Sequence, residues 1–440
     1  MVAKLSGPLV VAGGVLVLLL AIVLAESSLI LGVLMCLAVV GLTALMAFGA
    51  EKVAFGFFVL AFVTAPAYRG LQALSGGLAT PTDLCLVAGI TLLLPGVLPG
   101  RLKLPPPYVI GISIVAFCGL VASLFADSII FSIFSLLQWL FFLAGLPIVI
   151  AWWRPGVKVV VTLLWAYVVG QSLSLLYGLA KGPTVGNRYQ GLSHHINAFG
   201  MAGMTAMVIL MYLFHYHRGL QARVIVVGTG VAMLASVIMS GSRAALVVAA
   251  VIIVVSPLVE RSAISGVGLG FLGLGGLIAL PLLIQSGHAG SAITRLTGDA
   301  TAKVADQARS LGLDEGFRRL RESPILGGGL GDVEVIHNVF LEVAAGIGLI
   351  GLGGYLIALF VMTRPLIMEH PHRRLAYLPL AWVGMAPALP SLYDRTMWVP
   401  VSLCILVVIE GWPDTAAPAE DASAEVGASV ERESPIIVSY

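Results

Sequence analysis

Residues 309–354 read RSLGLDEGFRRLRESPILGGGLGDVEVIHNVFLEVAAGIGLIGLGG, and the change of character at Val339 decides the fold. As far as Glu322 the stretch is polar and arginine-rich, with Arg309, Asp314, Glu315, Arg318, Arg319 and Arg321. Ser323-Pro324 marks a turn, and the run Gly327-Gly328-Gly329-Leu330-Gly331 follows it. From Val339 to Thr363 the only charged residue is Glu342. Such a stretch is a membrane helix. About 20 apolar residues cross the hydrocarbon layer, and lipid offers a backbone no partners outside a helix. A cationic, glycine-hinged loop is therefore delivered to the mouth of a membrane helix.

The rest of the chain has the same character. Of its 440 residues 59% are hydrophobic and 10% charged, and the mean hydropathy is +1.03. A soluble domain carries roughly 25% charged residues. Apolar runs predict spans at 8–25, 28–48, 53–67, 84–99, 108–125, 129–152, 158–179, 196–214, 222–239, 244–259, 264–286, 338–362, 375–390 and 396–411. The third, fourth and thirteenth are short, so the expected fold is an all-α polytopic bundle of about 12–14 spans. The run after Lys4 has the look of a signal peptide, but a second long run from Ser28 favours an uncleaved span. Cys36, Cys85, Cys118 and Cys404 all lie in apolar runs and read as small buried hydrophobes.

Loop charge sets the expected orientation. With the N-terminus in the cytoplasm, the cytoplasmic segments carry thirteen Lys and Arg against five in the short outer loops, Arg69, Lys181, Arg188, Arg243 and Arg395. Both termini are then expected inside. The one long outer loop, 287–337, is expected to contain short helices; it holds six basic and seven acidic residues. Three regions follow: helices over 1–180, a region over 181–411 that carries the outer loop, and a tail over 412–440. The tail's Ala, Glu, Asp, Pro and Ser predict cytoplasmic disorder.

Arginines placed against the topological bias ask for a reason. One such arginine is most simply a residue snorkelling to phospholipid headgroups. Arg188, Arg243, Arg309 and Arg318, each near a helix mouth on the same predicted side, point instead to an anion site. A guanidinium fork matches phosphate oxygens and keeps its charge at physiological pH. Asn338 is placed to cap the helix that follows it. His337 gains nothing from capping, and its pKa near neutrality suits it to accept a proton from an attacking hydroxyl. Glu342 lies one turn below Asn338 on the same face, at a depth where an acid needs a partner, and is expected to orient a neighbour or bind a sugar hydroxyl. His194-His195 and Asn197 stand at another helix mouth and read as structural or substrate-lining, since no third metal ligand is spaced to help them. Asp332 and Glu334 read as solvated loop, and Asp394-Arg395 as an ion pair or a further wall of the site.

Two function classes are disfavoured. The predicted helix centres carry no ionisable side chain apart from Glu342, which argues against an ion-coupled transporter. No glycine-rich loop ends in Lys-Ser or Lys-Thr, which argues against ATP hydrolysis.

Several of these residues fall in a known order. Arg188-x-x-Gly191 with Asn197 at a helix start precedes Ser242-Arg243. Arg309 follows, with Pro324 and the glycine run, and then His337-Asn338-x-x-Leu341 with Gly346 and Gly351. Over roughly 180–360 the chain resembles the O-antigen ligase and Wzy-type polymerase superfamily of bacterial membrane glycosyltransferases, departing from it at Leu313, where an aromatic is common. The resemblance implies transfer or polymerisation of a glycan from an undecaprenyl-pyrophosphate carrier to an acceptor hydroxyl. The reaction would take place with inversion at the outer face of the bacterial cytoplasmic membrane. It implies His337 as the proton acceptor and Arg188, Arg243, Arg309 and Arg318 on the pyrophosphate. His195, Asn197, Asn338, Glu342 and Arg395 are expected to line the substrate, the glycine run to let the loop close over it, and no metal or other cofactor to be needed. The rival expectation is a transporter or flippase of lipid-linked oligosaccharide, which needs its cations along a path through the membrane. Donor sugar and acceptor are not written in the residues.

Overall fold

The computed structural model describes residues 41, 43–68, 80–100, 102–261, 292–296, 300–331, 333–389 and 392–412. The expected spans 8–25 and 264–286, residues 28–40 and 42 of the expected span 28–48, Asp332 and the tail from 413 lie outside the described residues.

The chain is an all-α polytopic membrane bundle, with no strand among the described residues. Its helices are α1 (Ala50–Thr64), α2 (Pro81–Val97), α3 (Pro106–Leu124), α4 (Ile129–Trp153), α5 (Val157–Lys181), α6 (Ile196–Tyr216) and α7 (Leu220–Ser240). There follow α8 (Arg243–Glu260), α9 (Ala292–Leu296), α10 (Ala300–Glu322), α11 (Val339–Thr363), α12 (Tyr377–Met385) and α13 (Arg395–Val408). Seven of these, α3 to α8 and α11, are long and apolar enough to cross a membrane. α2 and α13 are shorter and apolar. Leu, Val, Ile and Ala dominate them, and their ends are fixed by local chemistry. The Thr80 hydroxyl accepts from Asp83 N at 3.2 Å while Thr80 N donates back to Asp83 Oδ2 at 2.9 Å, a capping box that starts α2. Asn338 Oδ1 accepts from Leu341 N at 3.1 Å and starts α11, as its place before Val339 predicts.

α3 and α11 pack backbone to backbone at Gly111 and Gly354. A Cβ on Gly111 would sit 2.7 Å from Gly354 O, so neither position has room for a side chain.

α11 is broken one-third of the way along. Ile347 and Gly348 leave helical geometry, with φ −128° and +75°. In an unbroken helix Leu349 N would donate to Ala345 O. Here Leu349 N donates to Pro324 O at 2.9 Å, and Ala345 O accepts from Gly328 N at 2.9 Å. Gly329 N donates to Gly346 O at 2.8 Å, and Leu330 N donates to Ser132 Oγ of α4 at 2.9 Å. The segment 324–330 thus replaces the backbone bonds that the break releases, which apolar surroundings require. This corrects the expectation of a closing lid: the glycine run is stitched into the bundle. Gly327 is there because the two backbones touch, and a Cβ on it would collide with Gly346; one on Gly329 would meet Ala126 and Ser132.

Candidate functional site

A cavity of about 510 Å³ opens at one end of the bundle. The N-termini of α6, α8 and α11 meet there, with the loop after α5 and with α9 and α10. This is the end that loop charge assigns to the outer face.

Arg188 is a doubly anchored cation in the wall. The turn Thr184–Arg188 closes on itself, with Thr184 N donating to Arg188 O at 2.7 Å. Arg188 Nε then donates to Ser240 O at 2.7 Å and Nη2 to Asn197 Oδ1 at 2.6 Å. Both acceptors are neutral, so the positive charge is held without being cancelled. Asn197 lines the cavity as expected and acts by orienting Arg188.

The next carbonyl of the same turn holds a second arginine. Arg295 of α9 donates Nη1 to Gly241 O at 2.8 Å and is only 6% exposed, although it lines the cavity. The sequence reading did not single it out. Its signal is weak: one basic residue in the long loop, flanked by Ala292, Ile293 and Leu296. Two arginines on consecutive carbonyls at the C-terminus of α7 also benefit from the negative end of that helix.

Arg309 of α10 supplies a third cation to the lining, and His337 stands in the same wall. Arg243 lies at the rim, beside the lining residues Ser242 and Ala244. It forks onto Asp306, with Nη1 donating to Oδ2 at 3.1 Å and Nη2 bonded to Oδ1. Arg309 Nη1 is 3.5 Å from the same Oδ1. Asp306, which the sequence reading passed over, is therefore clasped by two of the expected anion-binding arginines.

The convergence shows in proton affinities. Burial first, and then Arg295, Arg309 and Arg243, bring the pKa of Arg188 down to about 10. Burial and then Arg243 lower that of Arg309. Both stay charged at neutral pH, and an anion that relieved the repulsion would bind more tightly for it. The Arg243 hydrogen bond holds the Asp306 carboxyl below its usual range. Burial, and then Arg309, push the His337 imidazole below its ordinary value, so the ring is neutral at pH 7 and its lone pair is free to take a proton. His337 has φ +56°, a left-handed conformation that histidine tolerates better than branched residues do.

The rest of the described polar lining is less charged. His195 lines it and caps α6, with Nδ1 accepting from Asn197 N at 3.1 Å. His194 lines it too, 2.5 Å from the Tyr68 hydroxyl through Nδ1. Asp394 is the one acid in the described lining, and its Oδ1 accepts from Thr396 N at 2.8 Å.

Four of the expected site residues lie elsewhere. Arg318 is on the solvated side of α10, bonded to Glu315 at 2.6 Å and 2.8 Å and to Glu322 at 2.5 Å. Such exposed pairs are local helix chemistry. Arg395 turns behind the wall, its Nε 2.9 Å from Asp83 Oδ1, and its charge is answered there. Asn338 is occupied as a helix cap. Glu342 is fully buried in α11 and does not reach the cavity lining. If the cavity is the expected anion site, Arg318→Ala leaves its affinity for inorganic pyrophosphate within twofold of wild type, whereas Arg309→Ala weakens it roughly tenfold or more. Titration of the purified chain with inorganic pyrophosphate checks both; equal losses would return Arg318 to the site.

No protein-family model matches the chain, and no curated protein matches it significantly.

Proposed function

We propose that the chain transfers or polymerises a glycan, moving it from an undecaprenyl-pyrophosphate carrier to an acceptor hydroxyl at the outer face of the bacterial cytoplasmic membrane. The observation that carries this reading is the gathering of Arg188, Arg295 and Arg309 beside neutral His337 in one cavity at a helix-bundle end. The acceptor oxygen attacks the anomeric carbon as the bond from that carbon to the phosphate oxygen breaks. His337 receives the acceptor's proton. The electron pair leaves with the diphosphate, and the charge that grows there meets fixed guanidinium groups, the interaction that lowers the barrier most. Arginines supply the neutralisation that a divalent cation supplies in many phosphate sites. The polar groups of His195, Asp394 and His194 suit sugar hydroxyls.

The test uses purified protein with undecaprenyl-pyrophosphate glycan and polysaccharide or lipid acceptors. The expected products are free undecaprenyl pyrophosphate and a lengthened or transferred glycan. His337→Ala is expected to lower kcat by about 10²–10⁴-fold. In the wild type, kcat/KM is expected to stay flat through neutral pH. It should fall only as the pH drops below the ordinary imidazole range near 6.5, because the ring's pKa is depressed and the neutral form is the competent one. An intact donor that instead crosses the bilayer of a proteoliposome would make the chain a flippase. A chelator-sensitive reaction would make the acidic pair Asp332 and Glu334 candidate metal ligands instead of solvated loop.

A further inference from the structure

Three imidazoles stand in the described lining of the cavity, those of His194, His195 and His337, and they differ in how their ring nitrogens are used. His195 spends Nδ1 on the protein, accepting from Asn197 N at 3.1 Å at the start of α6. A ring nitrogen that accepts a hydrogen bond carries no proton, so the one proton of the neutral ring is on Nε2. His194 spends Nδ1 as well, 2.5 Å from the Tyr68 hydroxyl, with the two rings within 19° of parallel. Tyr68 is 4% exposed, and burial keeps its phenol protonated. A phenol is a stronger acid than a neutral imidazole, and an imidazole nitrogen is a stronger base than a phenol oxygen. The phenol therefore donates to Nδ1, and here too the ring proton is on Nε2. Among the described residues, neither nitrogen of His337 is committed in this way.

The histidine pair is also held by its backbone. Ser193 Oγ donates to Pro66 O at 2.9 Å, which ties the pair to the segment that carries Tyr68, and Gln190 Nε2 donates to His194 O at 2.7 Å. Both histidines remain exposed, so Nε2 is the nitrogen left to a ligand. Desolvation by the surrounding protein lowers the proton affinity of both rings, with Asp394 pulling the other way, and both are neutral at pH 7. We propose that Tyr68 and the backbone N–H of Asn197 are positioning groups that fix His194 and His195 as Nε2–H donors to acceptor oxygens of the glycan, which leaves His337 as the one imidazole of the three able to take a proton. A sugar offers atoms of both kinds: its ring and bridging oxygens only accept, and its hydroxyls also donate. Two fixed N–H donors suit the first kind, and Asp394, which only accepts, suits the second. The glycan part of the inference rests on the proposed function; the placement of the protons does not.

The experiment has two arms. In the first, full-length protein labelled with 15N in its histidine rings is reconstituted in proteoliposomes, and magic-angle-spinning NMR at neutral pH reads which nitrogen of each ring is protonated. Spectra of His194→Ala and His195→Asn assign the two signals; asparagine keeps a side-chain oxygen to cap α6. The expected result is Nε2–H on both rings. Tyr68→Phe should turn His194 into a mixture of tautomers and leave His195 unchanged. In the second arm, Tyr68→Phe is expected to raise KM for the undecaprenyl-pyrophosphate glycan about fivefold, the size of one neutral hydrogen bond, with a smaller change in kcat. His194→Ala should lower kcat/KM about tenfold, and His194→Gln in the Tyr68→Phe background should recover most of it, because its amide N–H reaches the place of Nε2. His337→Gln should recover nothing over His337→Ala, since an amide is no base. A proton on Nδ1 of either ring overturns the proposal, as does a Tyr68→Phe spectrum identical to wild type. Glutamine no better than alanine at 194, or as good as histidine at 337, overturns the division of roles. A wild type that transfers no glycan overturns the proposed function and the glycan part with it, while the ring signals still decide where the protons sit.

Discussion

Arg188→Ala is expected to lower glycan-transfer turnover by about 10²–10³-fold, the cost of removing one preorganised donor from a developing anion. Arg188→Lys should recover little of it. The guanidinium spends one nitrogen on Ser240 O and a second on Asn197 Oδ1, and its remaining N–H groups are still available to a ligand. A lysine has a single nitrogen and cannot hold both anchors and a phosphate together. Folding should not suffer in proportion, because removing Arg188 relieves repulsion from Arg295, Arg309 and Arg243. Initial rates measured beside a thermal unfolding curve separate the two effects. Turnover within threefold of wild type in the alanine variant would take Arg188 out of the site.

Gly348→Ala is expected to destabilise the bundle by about 3 kcal/mol or more, the sum of a glycine-only backbone conformation and a steric clash. Gly348 has φ +75° and ψ 173°, and an added Cβ would collide with Ile325 O. Relief by straightening α11 would cost the bonds from Leu349 N to Pro324 O and from Gly328 N to Ala345 O. Gly353→Ala, on the same helix with open space around its Cβ, is the matched control and should be neutral or slightly stabilising. Detergent-extracted yield and the unfolding midpoint check the pair. If the two variants behave alike, the break in α11 is not the constraint described above.

Both predictions rest on features that differ in how far they could be read from residues alone. The helix starts are local, so Asn338 before Val339 was legible as a cap. The gathering of Arg188, Arg243 and Arg309 was legible in outline, because loop charge placed them on one side. Arg318 misled because the short helices expected in the outer loop carried no helical phase with which to sort its arginines. In α10 Arg309 and Arg318 are nine residues apart, which at about 100° per residue puts them on opposite faces. One faces the cavity and the other pairs with Glu315 and Glu322 in solvent. The glycine run misled for a related reason: glycine serves a hinge and a close backbone contact equally well, and only its neighbour tells which.

Alone, the sequence determined that this is a helical membrane bundle with its unusual arginines near helix mouths. Hydropathy and lipid's intolerance of unpaired backbone are properties of short segments, and no distant contact can overrule them. The tertiary structure decided which cations share a cavity, that Arg295 joins them, and that Asp306 stands between two of them. It also decided that residues 324–330 mend a broken helix. These outcomes depend on distances between segments as far as 198 residues apart along the chain, and charge and hydrogen bonding act on distance, not on order in the sequence.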